Sequence, residues 1–329
     1  MNRLSLTMAI SEYDHVRDLT SGRVVPEGID LICLNLPLEE IFYRFIINRE
    51  WDVSEMSMAK YVSLISQGDT SLSAIPVFPS RVFRHSSLYV RRDGPVKSPG
   101  DLAGRRVGIP EWAQTAAVYS RGFLNHQFGV DLASVEWVQA GVNQPGRAEK
   151  VGLQLPKGVS LTPVPDASLS DMLRDGRLDA VLSARPPQCF LNGDANVRRF
   201  FDDFMEVEEA YYEETRIFPI MHVVAIRRDL LDRHPWVAMN LHKAFEEAKN
   251  RSLERALDAT ASRFPIPWSH VHAHRAQLRF GKDYWPYGIE PNRPTLDAFL
   301  QYAHEQGVCH RRVSVEELFP KQIQSSVRV

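Results

Sequence analysis

Cysteine is scarce in this 329-residue chain, and the three present, Cys33, Cys189 and Cys309, are odd in number and far apart. That excludes a disulfide framework and points to a reducing compartment. A dominant charge sign is also missing: 39 Lys and Arg face 41 Asp and Glu, a formal net charge of −2. Without a basic run, a nucleic-acid partner has no footing. No apolar stretch approaches the ~20 residues a membrane span requires, so no membrane partner is expected. The zinc-protease HExxH, phosphate-cradling GxxxxGK[ST], GxGxxG and GxSxG patterns are absent, which leaves nucleotide and serine-hydrolase chemistry unsupported. No charged leader with an apolar core and small-residue cleavage site stands before the first strand, so a cytoplasmic, soluble protein is expected.

What is present is ordinary in amount and informative in arrangement. Apolar residues make up 44% and charged residues 24%, as in globular domains generally. The length exceeds what one hydrophobic core usually supports, so two lobes are expected. The alternating run Arg3 to Ile10 opens the chain as a strand, and Ile29 to Leu34 and Trp51 to Met56 read as further strands. Helical spacing of Ile41, Phe42, Phe45 and Ile46 predicts a helix over Leu38 to Asn48, with Glu39 and Glu40 suited to its first turn. A helix over Met58 to Ser66 and a strand over Ser73 to Phe78 follow. This alternation predicts a parallel sheet flanked by helices, with ligands at the carboxyl ends of the strands. A second unit opens near Arg91, with strands at Arg105 to Ile109, Val135 to Val138 and Asp179 to Ser183. A helix is expected from Pro110 to about Phe128, and residues 140–158 read as a loop-rich excursion. The apolar run Phe218 to Ile226 reads as a strand crossing back to the first lobe.

Six stretches carry a likeness: YDH at 13–15, EMSMAKY at 55–61, IPVFPSRVFRH at 75–85, VGIPEWAQTA at 107–116, PIMH at 219–222 and DYWPYG at 283–288. Together they resemble the 4,5-dihydroxyphthalate decarboxylase family, itself similar to type II periplasmic binding proteins. The resemblance implies an α/β, two-lobed fold with a central cleft and hinge. Its first lobe would be discontinuous, residues 1–90 plus a return segment and C-terminal helices at 219–329, around a second lobe at 91–218. It also implies decarboxylation of 4,5-dihydroxyphthalate to 3,4-dihydroxybenzoate and CO2 without an organic cofactor. A non-catalytic solute-binding protein for an aromatic carboxylate is the alternative reading. Either way the partner is a small aromatic carboxylate, and homo-oligomerisation is left open.

Replacing a ring carboxylate by a proton needs a base for the para hydroxyl, an acid above the ring, cations for the other carboxylate and a closed, dry cleft. Arg81 and Arg84, just beyond the strand ending at Phe78, are placed to grip a carboxylate with paired donors; Arg185 has a similar position in the second lobe. The turn at Glu111 and Trp112, opening the expected helix, would offer backbone N–H groups to an anion, and Thr115 a hydroxyl. Phe78 and Trp112 suit the walls around a flat ring. The acid and base candidates are His15, Glu55, His85, Glu111 and His222, with His15 or His222 preferred as base and Glu55 or His85 as acid. No metal ligand set is assigned, although a divalent ion held by His15, Glu55 or Glu111 stays open. The triplet His270, His272 and His274 is read as a solvated helix face.

Overall fold

The computed structural model describes residues 3–324. Eleven strands form two separate sheets among these residues. In chain order they are β1 (Leu4–Ile10), β2 (Ile29–Asn35), β3 (Val53–Ser57), β4 (Leu72–Ile75), β5 (Leu88–Arg91), β6 (Arg106–Ile109), β7 (Glu136–Gly141), β8 (Ser160–Ser168), β9 (Ala180–Leu182), β10 (Val197–Arg199) and β11 (His222–Arg227).

The first sheet has the order β2-β1-β3-β11-β4. Its β1 pairs in parallel with β2 and β3, while β11 runs antiparallel between β3 and β4. All five residues of β3 are buried, as expected for a central strand covered on both faces. The expected parallel sheet is therefore mixed: β11 returns late in the chain and enters in the opposite direction, so His222, its first residue, meets Ser57, the last of β3. Strand polarity thus brings the end of β3 and the start of β11 to the same edge as the end of β1.

The second sheet has the order β10-β5-β9-β6-β7-β8. Here β6 pairs in parallel with β7 and β9, and β7 with β8, whereas β5 and β10 are antiparallel additions. Edge strand β8 is mostly exposed and contains Pro163 and Pro165, which a sheet tolerates only where a ladder hydrogen bond is not needed.

Two chain crossings join the sheets, and they run side by side. The Met221 N–H donates to the Ser80 carbonyl at 2.8 Å and the Val82 N–H to Pro219 at 3.2 Å, with Arg81 bridged to Ile220. The carboxy-terminal helix Arg293–Glu305 does not pack on one sheet unit alone. It lies against the helix Thr115–His126 so closely that a Cβ on Gly122 would sit 2.3 Å from the Tyr302 ring. The next residue, Gln306, is buried and acts as a hub. Its amide donates to the Val118 carbonyl at 3.0 Å, its side-chain oxygen accepts from Arg121 Nε at 2.9 Å, and its carbonyl accepts from the Trp112 indole at 2.7 Å. Among the described residues, no helix is long and apolar enough to cross a membrane.

Candidate active site

At the carboxyl edge of the first sheet, three donors converge on one carboxylate. Glu55 on β3 is fully buried. Its Oε1 accepts from the Tyr13 hydroxyl at 2.6 Å and from His222 Nδ1 at 2.6 Å, and its Oε2 accepts from the Ser11 N–H at 3.0 Å. Tyr13 follows the end of β1, and the side chains of Tyr13 and His222 remain partly exposed above the carboxylate. A carboxylate met by three donors is arranged as an acceptor, and it fixes the His222 tautomer with a proton on Nδ1. No described residue hydrogen-bonds Nε2 of His222, which is thereby the nitrogen free to exchange a proton. The ring of Phe42 meets the imidazole edge-on at 4.9 Å. Burial, and secondarily the charge of Glu55, raises the Tyr13 phenol well above its ordinary value, so Tyr13 remains a donor at neutral pH.

Across the seam from this edge lies a charged cluster that both lobes supply, Lys60 coming from the helix after β3. Glu111 is buried and meets Lys60 at 2.8 Å, Arg147 at 2.7 Å and Lys150 at 3.6 Å. Lys60 also reaches Glu149, whose other oxygen accepts from the Ala113 N–H at 3.1 Å. Burial pushes the Glu111 carboxyl up, but Lys60, Arg147 and Lys150 together outweigh it and hold the group below its ordinary range. Three cations against two carboxylates leave one positive charge in the cluster. Thr115 completes the seam: its hydroxyl lies 2.9 Å from Ser57 Oγ and accepts from the Ala59 N–H at 3.0 Å. Ser57 in turn pairs with His222 across the ladder, so Thr115 reaches the strand that carries the imidazole through one residue.

The other candidates lie apart from this group. Helix Thr115–His126 begins at Thr115, later than the expected Pro110. Glu111 and Trp112 therefore occupy a turn rather than a helix N-terminus, and the Ala113 N–H is taken by Glu149. Trp112 is fully buried under the Arg121 guanidinium, 3.8 Å from the ring centroid. Phe78 is core, packed edge-on against Phe319. Arg81 is buried beside the crossing, donating to the carbonyls of Phe218 and Pro286 and to Asn292, with no carboxylate partner among the described residues. Burial pulls its guanidinium down to about 10, which leaves it charged at neutral pH. Arg84 donates through Nε to the sulfur of Met221 at 3.2 Å. Arg185 is exposed and paired with Glu39 at 2.6 Å.

His15 donates through Nε2 to the Pro79 carbonyl at 2.9 Å and sits between the rings of Tyr13 and Trp285. His85 is buried in an aromatic nest, stacked on Phe123 at 4.0 Å and bonded to Gln127. Burial lowers both imidazoles to about 4, so each is neutral at pH 7. Because these folded values lie below the ordinary 6.5, stability is whole above pH 6.5 and declines as pH falls towards 4. For His85 the loss amounts to roughly 3 kcal/mol at most. A His85→Phe variant, which keeps the stack, should show a shallower decline in urea-unfolding free energy between pH 6.5 and 4 than the parent.

Tyr13, Lys60, Glu149, Arg147 and Lys150 were not singled out from the sequence as site residues. Lys60 and Tyr13 stand inside the quoted motifs, three residues after Ser57 and two before His15. Arg147, Glu149 and Lys150 lie in the loop-rich excursion, where a run of alternating charges in an irregular segment was the available signal. Among the described residues, no group of three or more His, Cys, Asp or Glu is placed to hold a metal ion.

Two sheets joined by paired crossings, with their carboxyl edges facing across a charged seam, define a two-lobed protein of the periplasmic-binding-protein type. The periplasmic aliphatic sulphonate binding protein SsuA from Escherichia coli matches it with a TM-score of 0.56 at 12% identity, over 98% of this chain and 99% of that one. The desulfurization enzyme DSZB matches with a TM-score of 0.54 at 15% identity, over 98% of each chain. No family model matches the sequence. Among curated proteins, the 4,5-dihydroxyphthalate decarboxylase of Comamonas testosteroni is 39% identical over 320 residues, 97% of each chain. That of Pseudomonas putida is 40% identical over 204 residues, covering 62% of this chain and 79% of its own. The chain belongs to the 4,5-dihydroxyphthalate decarboxylase family, and its class of activity is that of a carboxy-lyase.

Proposed function

We propose that the protein converts 4,5-dihydroxyphthalate to 3,4-dihydroxybenzoate and CO2 by ring protonation at the interlobe seam, with its own side chains and no organic cofactor. The observation that carries this reading is the buried Glu55 carboxylate holding His222 by Nδ1 while Nε2 is left free. Each carboxylate of this substrate lies para to a hydroxyl. As that hydroxyl gives up its proton to solvent, the ring carbon bearing the carboxylate accepts one from the His222 imidazolium, giving a dienone with hydrogen and carboxylate on one carbon. Breaking the ring–carboxylate bond returns the electron pair to the ring and releases CO2, and the phenolate takes a proton back. One proton from solvent is consumed per turnover.

Glu55 stabilises the imidazolium and fixes its orientation, and Tyr13 holds the same carboxylate in place. His222 is thus the acid here. Glu55 lies beneath it, engaged as an acceptor, and His85 lies in the aromatic nest. The unbalanced positive charge among Lys60, Arg147 and Lys150 suits the carboxylate that is retained, and enclosure between lobes strengthens each of these interactions.

Incubation with 4,5-dihydroxyphthalate in deuterated water tests the reading. Equimolar CO2 and 3,4-dihydroxybenzoate are expected, with one deuterium on the vacated ring carbon. Saturable binding without CO2 would instead establish the solute-binding alternative.

A further inference from the structure

Bonds across the lobe seam are unevenly distributed. On the carboxy-terminal side they are buried: Arg121, Trp112 and Val118 all bond Gln306, and the Gln154 N–H donates to the Gly307 carbonyl at 2.9 Å. A Cβ on Gly307 would lie 1.9 Å from the Gln154 carbonyl oxygen, so the two segments touch backbone to backbone. At the opposite end, beyond β2 and β9, the polar link among the described residues is one ion pair, Arg185 with Glu39. Its side chains are 66% and 51% exposed. The first side is a fixed clasp; the second is the side that opens at little cost.

The position of that ion pair is specific. Glu39 lies in the first turn of the helix Leu38–Asn48, and Phe42, one turn later, holds the His222 imidazole edge-on. Arg185 follows the carboxyl end of β9, its own carbonyl fixed by the Ser183 hydroxyl at 2.7 Å. An exposed carboxylate–guanidinium pair is weak and readily exchanged. An incoming aromatic dicarboxylate offers the guanidinium a carboxylate of the same charge in place of this single contact.

We propose that Arg185 is the capture residue at the cleft mouth, and that it exchanges Glu39 for a carboxylate of the arriving substrate. Glu39 then acts as a resident competitor: it keeps the guanidinium oriented when the site is empty and repels the dianion until the exchange takes place. The inference rests on the aromatic dicarboxylate reading above.

A structural latch and an exchange site predict opposite things for the two partners. Removing either member of a latch has the same effect. In an exchange site, losing Arg185 weakens capture and losing the Glu39 charge strengthens it. The test is steady-state kinetics with 4,5-dihydroxyphthalate, together with calorimetric titration of phthalate, a dicarboxylate without the activating hydroxyls. Arg185→Ala should raise KM and the phthalate Kd about tenfold, with kcat falling less than twofold, and should flatten the dependence of kcat/KM on salt. Arg185→Lys should recover part of the loss. Glu39→Gln should raise kcat/KM a few-fold at low ionic strength and tighten phthalate. Changes in the same direction for both variants, or none in either, overturn the proposal. If the parent protein binds phthalate but releases no CO2, the decarboxylase reading fails while the opposite signs in Kd still decide the role of Arg185.

Discussion

Replacing His222 by alanine is expected to lower kcat about a thousandfold, equivalent to ~4 kcal/mol of transition-state stabilisation, the middle of the range for general acid–base catalysis. At the carboxyl edge of the first sheet the His222 imidazole has a buried carboxylate on one nitrogen and, among the described residues, no hydrogen-bond partner on the other. Its removal leaves Glu55 with two of its three donors, Tyr13 and Ser11, so the fold should survive with a modest loss of thermal stability. Glu55→Gln should fall nearly as far in turnover, because an amide oriented towards the ring no longer stabilises an imidazolium. Tyr13→Phe, which removes one donor and keeps the ring, should lose about tenfold, the worth of one hydrogen bond to a charged acceptor. The measurement is single-turnover CO2 release with circular dichroism of each variant. A folded His222→Ala protein with turnover within tenfold of the parent removes His222 from the chemistry.

Why the sequence disclosed Glu55 and His222 but not their partnership follows from topology. Glu55 was legible near the end of an expected strand, and His222 inside the apolar run Phe218 to Ile226, which becomes a strand only from His222 onward. Their contact spans 167 positions and depends on β11 entering antiparallel between β3 and β4, a choice that no local pattern encodes. The first lobe's helices were legible because Ile41 and Phe45 repeat at helical spacing and are buried. Edge strand β8 was not, since its exposed residues and two prolines mimic a loop. Arg81 illustrates the opposite failure. A guanidinium just past a strand end suggests an anion site, yet here it satisfies the carbonyls of Phe218 and Pro286, groups that only the folded crossings bring within reach. His85 likewise reads as an acid from its place in the motif, and the three rings packed around it come from Phe123, Phe201 and Tyr211. Composition bounded the fold; long-range pairing decided the site.

Lys60→Met is expected to destabilise the protein by about 3 kcal/mol at pH 7, chiefly because it leaves Glu111 and Glu149 with less counter-charge in a buried seam. Lys60 and Glu111 are 5% and 3% exposed, so water replaces little of what is lost. Arg147 and Lys150 stay beside Glu111, which keeps the cost at the lower end of the range for broken buried pairs. The pH dependence identifies the cause. In the parent, Glu111 is held below its ordinary 4.5, so its contribution is complete above that pH and is lost as pH falls through the lowered value. In the variant, burial is opposed by two cations rather than three, and Glu111 takes up a proton more readily. Protonation relieves the under-compensated carboxylate of the variant before that of the parent, so the difference between them should shrink as pH drops from 7 to 4. A gap that stays constant over that interval would assign the loss to packing of the lysine stem instead. The double variant Lys60→Met with Glu111→Leu should regain more than half of the lost stability, since a buried ion pair replaced as a unit by apolar groups costs far less than one broken on one side. It should not regain activity, because Arg147 and Lys150 would no longer be held by Glu111 at the seam where the retained carboxylate is expected to lie.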